Sequence, residues 1–196
     1  MNEIRITDRI TYLEATESPL SADVGIIRDN GRTWLYDVGN GEKYLSAAKG
    51  EVHVVLSHFH PDHTGNISRI RPQALYVSKE TCTHVHSGTV INESLRIGSL
   101  HIFPIPSSHA KGCLGLEVDE TYAFVGDSLY AKSKDGGHAY NAQLLKAEIE
   151  LLKNLRAQYL LASHFPGLVR NKKDAVSELE EIYQRRERNE AWIVIE

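Results

Sequence analysis

Short apolar runs broken by polar turns fill roughly the first two thirds of the chain, and longer runs with apolar residues every third or fourth position fill the rest. Residues 4–6, 10–13, 24–28 and 33–37 read as strands, with Asp29-Asn30-Gly31 as a hairpin turn between the last two. The apolar run 52–56 follows. Residues 64–70 have the spacing of a short helix, 74–77 of a strand, and 78–86 of a helix with Ser78 as its N-cap. Strand patterning returns at 100–105, 114–118 and 121–125, where Asp119-Glu120 supplies a turn.

From Asn141, an N-cap candidate, Leu144, Leu145, Ile149, Leu152 and Leu155 recur at helical spacing and predict a face packed on a sheet. A second amphipathic helix is expected over 172–188, with Ala175, Val176, Leu179, Ile182 and Tyr183 on one side. Residues 159–162 between them suit a buried strand, and 192–195 a final edge strand able to pack on its own domain or pair with another chain as a homodimer.

Composition narrows this picture only a little. With 41% hydrophobic residues and 24% charged, a 196-residue chain can bury one sizeable core, so a single domain spanning 1–196 is expected. The net charge of −4 argues against general electrostatic binding of nucleic acid. No apolar stretch approaches a membrane span, the start is polar, and two cysteines make no disulfide framework, which together predict a cytoplasmic protein with reduced thiols.

The chemistry concentrates in His58-Phe59-His60-Pro61-Asp62-His63, directly after the run 52–56. Packing does not call for four ligand-type side chains in six positions, whereas neutral imidazoles beside a carboxylate are what a divalent metal requires. Other apolar runs also end in ligand types: 100–105 leads to His109, 122–125 to Asp127 and 159–162 to His164. Strands ending along one rim would bring these side chains together. The remaining candidates are weaker. His53 and His101 lie within strand-like segments and His84 and His86 on or beside a helix, all fitting structural roles. His138, in the Gly-rich stretch 134–140, fits either an exposed loop or the border of a pocket, and Cys113 either a small buried residue or a thiolate.

This set resembles the metallo-beta-lactamase superfamily, whose H-x-H-x-D-H run is followed by a single His, a Gly-Asp and a late His. The matching pieces are His58 to His63, Ser108-His109, Gly126-Asp127 and Ser163-His164, in the same order. The resemblance implies an α/β (α+β) fold, a four-layer αββα sandwich. It implies two divalent metal ions: one on His58, His60 and His109, the other on Asp62, His63 and His164, with Asp127 bridging. Zinc suits these donors, and iron or manganese can occupy similar nitrogen and oxygen sites. Asp37, in Tyr36-Asp37-Val38-Gly39, resembles the superfamily's early Asp-x-Gly turn, and either supports a ligand histidine or simply closes a strand into its turn.

Metal coordination brings the pKa of water down towards about 7, so a bridging hydroxide is the expected nucleophile, with Asp62 as ligand and as the catalytic group that orients it. The leading expectation is a zinc hydrolase acting on an ester, thioester or lactone-like small molecule. A phosphodiesterase or nuclease and an iron-dependent oxidoreductase are the alternatives. Residues 128–134 lack the Gly- and Cys-containing pattern of glyoxalase II-type enzymes, which counts against a glutathione thioesterase.

Overall fold

The computed structural model describes residues 3–195. The first half contains strands β1 (Ile4–Arg5) and β2 (Ile10–Leu13), a small hairpin of β3 (Thr16–Glu17) and β4 (Leu20–Ser21), then β5 (Val24–Asp29), β6 (Arg32–Tyr36) and β7 (Val52–Val55). Helix α1 (Pro61–Thr64), β8 (Ala74–Val77), α2 (Lys79–Val85) and β9 (Thr89–Val90) complete it. The second half contains β10 (Leu95–Ile97), β11 (Leu100–Ile105), β12 (Cys113–Val118), β13 (Tyr122–Gly126), β14 (Lys132–Lys134), β15 (Gly137–Asn141), α3 (Ala142–Asn154), β16 (Tyr159–Ala162), β17 (Val169–Asn171), α4 (Lys172–Gln184) and β18 (Trp192–Ile195).

Two sheets dominate. One runs β1-β2-β5-β6-β7-β8-β9 and the other β10-β11-β12-β13-β16-β17, while β14-β15-β18 form a small third sheet. Period-two alternation sends neighbouring residues of each strand into different cores. On β6, Trp34 and Tyr36 face the second sheet while Leu35 faces away; on β12, Leu114 and Leu116 face the first sheet while Cys113 faces away. The outer face of the first sheet is covered by α2 through Cys82 and Val85 and by the 3-10 turns around Tyr44 and Ile67. The outer face of the second is covered by α3 and α4 through Leu145, Ile149, Leu152, Ala175, Val176 and Leu179. The layers are therefore helix, sheet, sheet, helix, the expected αββα sandwich. Among the described residues no helix is long and apolar enough to cross a membrane.

Several local expectations need correction. The helix expected over 64–70 begins earlier, at Pro61, whose missing N–H costs nothing in a first turn. It ends by Gly65 because Asn66 donates to the carbonyls of Val38 and Gly41, pulling the chain into a separate 3-10 turn at Ile67–Arg69. The Gly-rich stretch near His138 is the hairpin β14–β15, turned at Asp135-Gly136 with φ of +51° and +81°. On α3, Leu144 stands 39% exposed at the edge of the packed face instead of inside it. Helix α4 stops at Gln184, since Arg185-Arg186-Glu187-Arg188 has nothing apolar to bury. Residues 192–195 do form a strand; β18 pairs antiparallel with β15 and buries Ile193.

Candidate metal centre

Strand direction gathers the ligand candidates. β6 and β7 are parallel, so Asp37 and the His58 run leave the first sheet at the same edge. β11 and β13 both run antiparallel to β12, and β16 runs parallel to β13, so the segments carrying His109, Asp127 and His164 all leave the second sheet in one direction. The loops meet across the rim of the sandwich. Gly126 makes the approach close enough: its φ is +56°, and a Cβ there would lie 2.7 Å from Ser57 Cβ.

All seven sequence-predicted ligands come together, as two groups: His58, His60 and His109, and Asp62, His63, Asp127 and His164. In the first, His60 Nδ1 lies 2.9 Å from His58 Nε2 and 3.2 Å from His109 Nε2. In the second, Asp62 Oδ2 lies 3.1 Å from His164 Nε2 and 3.5 Å from His63 Nε2. Asp127 joins them, because its Oδ2 is 3.4 Å from His109 Nε2 and 3.3 Å from His63 Nε2.

The protonation preferences of the first group suit cation binding directly, while in the second group His63 and His164 favour a proton that a bound cation would displace. Burial, then the charge of neighbouring His63, pushes the His58 imidazole well below its usual range; burial likewise lowers His60 and His109, so this trio is neutral and able to ligate. In the second group the carboxylates prevail. Burial works against the Asp62 carboxylate, but the His164 hydrogen bond and the His63 charge outweigh it and hold Asp62 at about 2. Burial opposes the charged form of His63 too, yet Asp37 and Asp127 raise it well above the usual range, and the hydrogen bond to Asp62 raises His164. His63 Nε2 and Asp127 Oδ1 are buried with no hydrogen-bond partner among the described residues. A buried nitrogen and oxygen left unbonded beside a carboxylate are costly unless an ion completes them, so the residues present fit two divalent cations.

Behind the ligands, Asp37 takes the supporting role. Its Oδ2 lies 2.7 Å from His63 Nδ1 and its Oδ1 accepts the Ser57 N–H at 2.7 Å, which aims His63 Nε2 at the centre. The sequence reading missed Ser57, whose hydroxyl lies 3.0 Å from His58 Nδ1 and 3.1 Å from His63 Nδ1. A small polar residue just before a ligand run gives no signal of its own. Tyr130, also missed, donates to Ser163 O at 2.7 Å and so braces the His164 loop. Cys113 is a buried thiol that burial pushes up to about 12, which excludes a thiolate nucleophile near neutral pH.

His53, His84, His86 and His101 do not join the centre. His53 stacks on Trp34 with ring centroids 4.6 Å apart, His84 stacks on Phe59 at 4.3 Å, His86 caps α2 in the left-handed region, and His101 lies 3.3 Å from Glu117. His138 differs from these. It is exposed, on β15 and not in a loop, and it lines a cleft of about 650 Å³ whose wall also includes His60, His109, His164, Tyr130 and Ile195, so it is both exposed and at the border of a pocket.

No protein-family model and no curated protein matches the sequence. Solved structures do match in fold. The chain is similar to the metallo-beta-lactamase FIM-1 from Pseudomonas aeruginosa in its mono-zinc form, with a TM-score of 0.71 at 15% identity over 94% of this chain and 95% of that one. It is also similar to a flavo di-iron protein variant from Thermotoga maritima, with a TM-score of 0.70 at 14% identity over 96% of this chain and 63% of that one. A chemotaxis sensor, ODP, described as a peroxy diiron species, matches with a TM-score of 0.68 at 15% identity over 91% and 94% of the two chains. Proteins of this fold thus include both zinc and iron proteins.

Proposed function

We propose that this chain, which has the metallo-beta-lactamase fold, is a binuclear metal hydrolase, zinc-dependent by its donor set, acting on an ester, thioester or lactone-like small molecule. The observation that carries this reading is the shared carboxylate: Asp127 Oδ2 stands within 3.4 Å of a ring nitrogen in each ligand group, His109 and His63. Two divalent ions held there would supply Lewis acidity, acidifying water and polarising a carbonyl. Asp62, kept ionised by a pKa of about 2, is a ligand and a hydrogen-bond acceptor that can orient the attacking water. His58, His60 and His109 present neutral nitrogens, and Asp37 keeps His63 aimed. The cleft above the centre suits a small molecule, and its lining includes Lys132 and His138 and, among the described residues, no carboxylate, which favours a neutral or anionic substrate.

An iron-dependent oxidoreductase is the second reading, favoured by the likeness to the flavo di-iron protein and the diiron chemotaxis sensor. Metal analysis of the purified protein separates the two. About two zinc per chain supports the hydrolase, and iron in their place with redox activity overturns it. Thioester, lactone and phosphodiester substrates are then compared with wild type, Asp62→Ala and His109→Ala. Each substitution should lower turnover by about 10²-fold or more. Hydrolysis undiminished in both variants would mean that the reaction takes place elsewhere.

A further inference from the structure

Two ligands of the second group, Asp62 and His164, reach each other from different sheets, with Asp62 Oδ2 3.1 Å from His164 Nε2. Side-chain contact alone does not fix such a pair, because each sits on a loop with its own freedom. One short segment holds both backbones. Ala22 donates its N–H to Asp62 O at 3.0 Å, and the next residue, Asp23, accepts the His164 N–H on Oδ2 at 2.9 Å.

Asp23 is itself immobilised. It is 4% exposed between β4 and β5, and its other oxygen accepts the Ala15 N–H at 3.0 Å, so each carboxylate oxygen receives an amide. Ser21, just before the segment, accepts the Asn40 N–H on its hydroxyl at 2.8 Å. The restraint on His164 matters because that residue lies at φ +61°, a left-handed conformation that costs a residue with a Cβ about 1 kcal/mol or more. Freed of Asp23, the loop can relax and carry the imidazole away from Asp62. No hydrogen bond among the described residues links 21–23 to His58, His60 or His109.

Resting on the two-ion reading above, we propose that Ala22-Asp23 is a clamp for one metal position only, with Asp23 a positioning residue that sets the affinity of the Asp62–His63–His164 position while leaving the His58–His60–His109 position alone.

The test is zinc titration of the full chain against a chromophoric chelator. It is run on wild type and Asp23→Ala, and again with His60→Ala or His164→Ala added so that each position is read alone. In the His60→Ala background, Asp23→Ala should weaken the remaining ion about 10- to 100-fold, the usual effect of removing a group that orients a ligand. In the His164→Ala background it should change nothing. Asp23→Asn, whose amide oxygen can still accept one of the two N–H groups, should recover part of the loss. It also serves as the deciding variant should Asp23→Ala fail to fold, with a smaller loss in the same direction. Unchanged affinity in both backgrounds, or equal weakening of both positions, overturns the clamp. A wild-type chain binding fewer than two zinc ions overturns the two-ion reading and the clamp with it; two ions with an unaltered variant overturns the clamp alone.

Discussion

Gly126 stands where the end of β13 closely approaches Ser57 and Tyr36 of the first sheet's rim. Its φ of +56° is a region that side chains with a Cβ rarely adopt, and the missing Cβ leaves room for Ser57 Cβ and for the Tyr36 hydroxyl, which would lie 2.7 and 3.3 Å from it. Strand β13 can therefore deliver Asp127 beside the His58 run, while Tyr36 reaches past it to donate to Leu114 O at 2.7 Å. In the sequence Gly126-Asp127 is legible as a pair within a pattern; the reason for the glycine is not, because Ser57 and Tyr36 are distant in the chain. Gly126→Ala should cost about 1–3 kcal/mol from backbone strain and overpacking together. Urea denaturation measures the cost, and a variant within about 0.5 kcal/mol of wild type would show that the rim is less tightly packed than its geometry implies.

Helix α3 is an element that was readable from its start signal. Asn141 accepts the N–H groups of Gln143 and Leu144, both at 3.0 Å, and its own N–H donates to the Ser108 hydroxyl at 3.0 Å, one residue before His109. The cap thus fixes the helix and ties it to a ligand loop. Asn141→Ala should destabilise by about 0.5–2 kcal/mol, and Asn141→Asp, which keeps the acceptor, by less. Thermal unfolding of the pair checks this, and equal melting temperatures for both variants and wild type would remove the cap from the account. The hairpin β14–β15 shows the opposite case. Lys132-Ser133-Lys134-Asp135-Gly136-Gly137-His138 has no apolar alternation, because this strand pair gains its order from the pairing of β15 with β18, not from its own pattern. Helix α1 was displaced for a related reason: its first turn is made of ligand residues, and only Pro61 at its first position marked the start.

At the scale of the molecule, the order of ligands along the chain was legible, and so was their position after apolar runs. What the chain does not display is that β11, β13 and β16 share a sheet and a direction, or that Asp23 and His164 meet across 141 residues. The same holds for Glu148, which the helical pattern of α3 gives no reason to single out. It is fully buried among the apolar residues between α3 and the second sheet, and both carboxylate oxygens lack a hydrogen-bond partner among the described residues. Burial drives its carboxyl well above the ordinary value near 4.5. The native state therefore keeps a proton that the unfolded chain releases above about pH 4.3. Where the native state binds more protons, stability falls as pH rises, and the fall continues until the pH passes the folded-state pKa. This contribution is complete below the unfolded value and is lost as pH rises from there through the folded-state pKa. Glu148→Met keeps the volume and removes both the titration and the unbonded oxygens, so it should stabilise the protein at pH 7 by about 1–3 kcal/mol. The advantage should shrink towards pH 4. Urea denaturation from pH 4 to 8, with a chelator present so that metal binding does not contribute, measures the difference between variant and wild type. A difference that is flat across that range would mean that Glu148 is solvated or bonded in the native state, and the buried neutral acid would have to be abandoned.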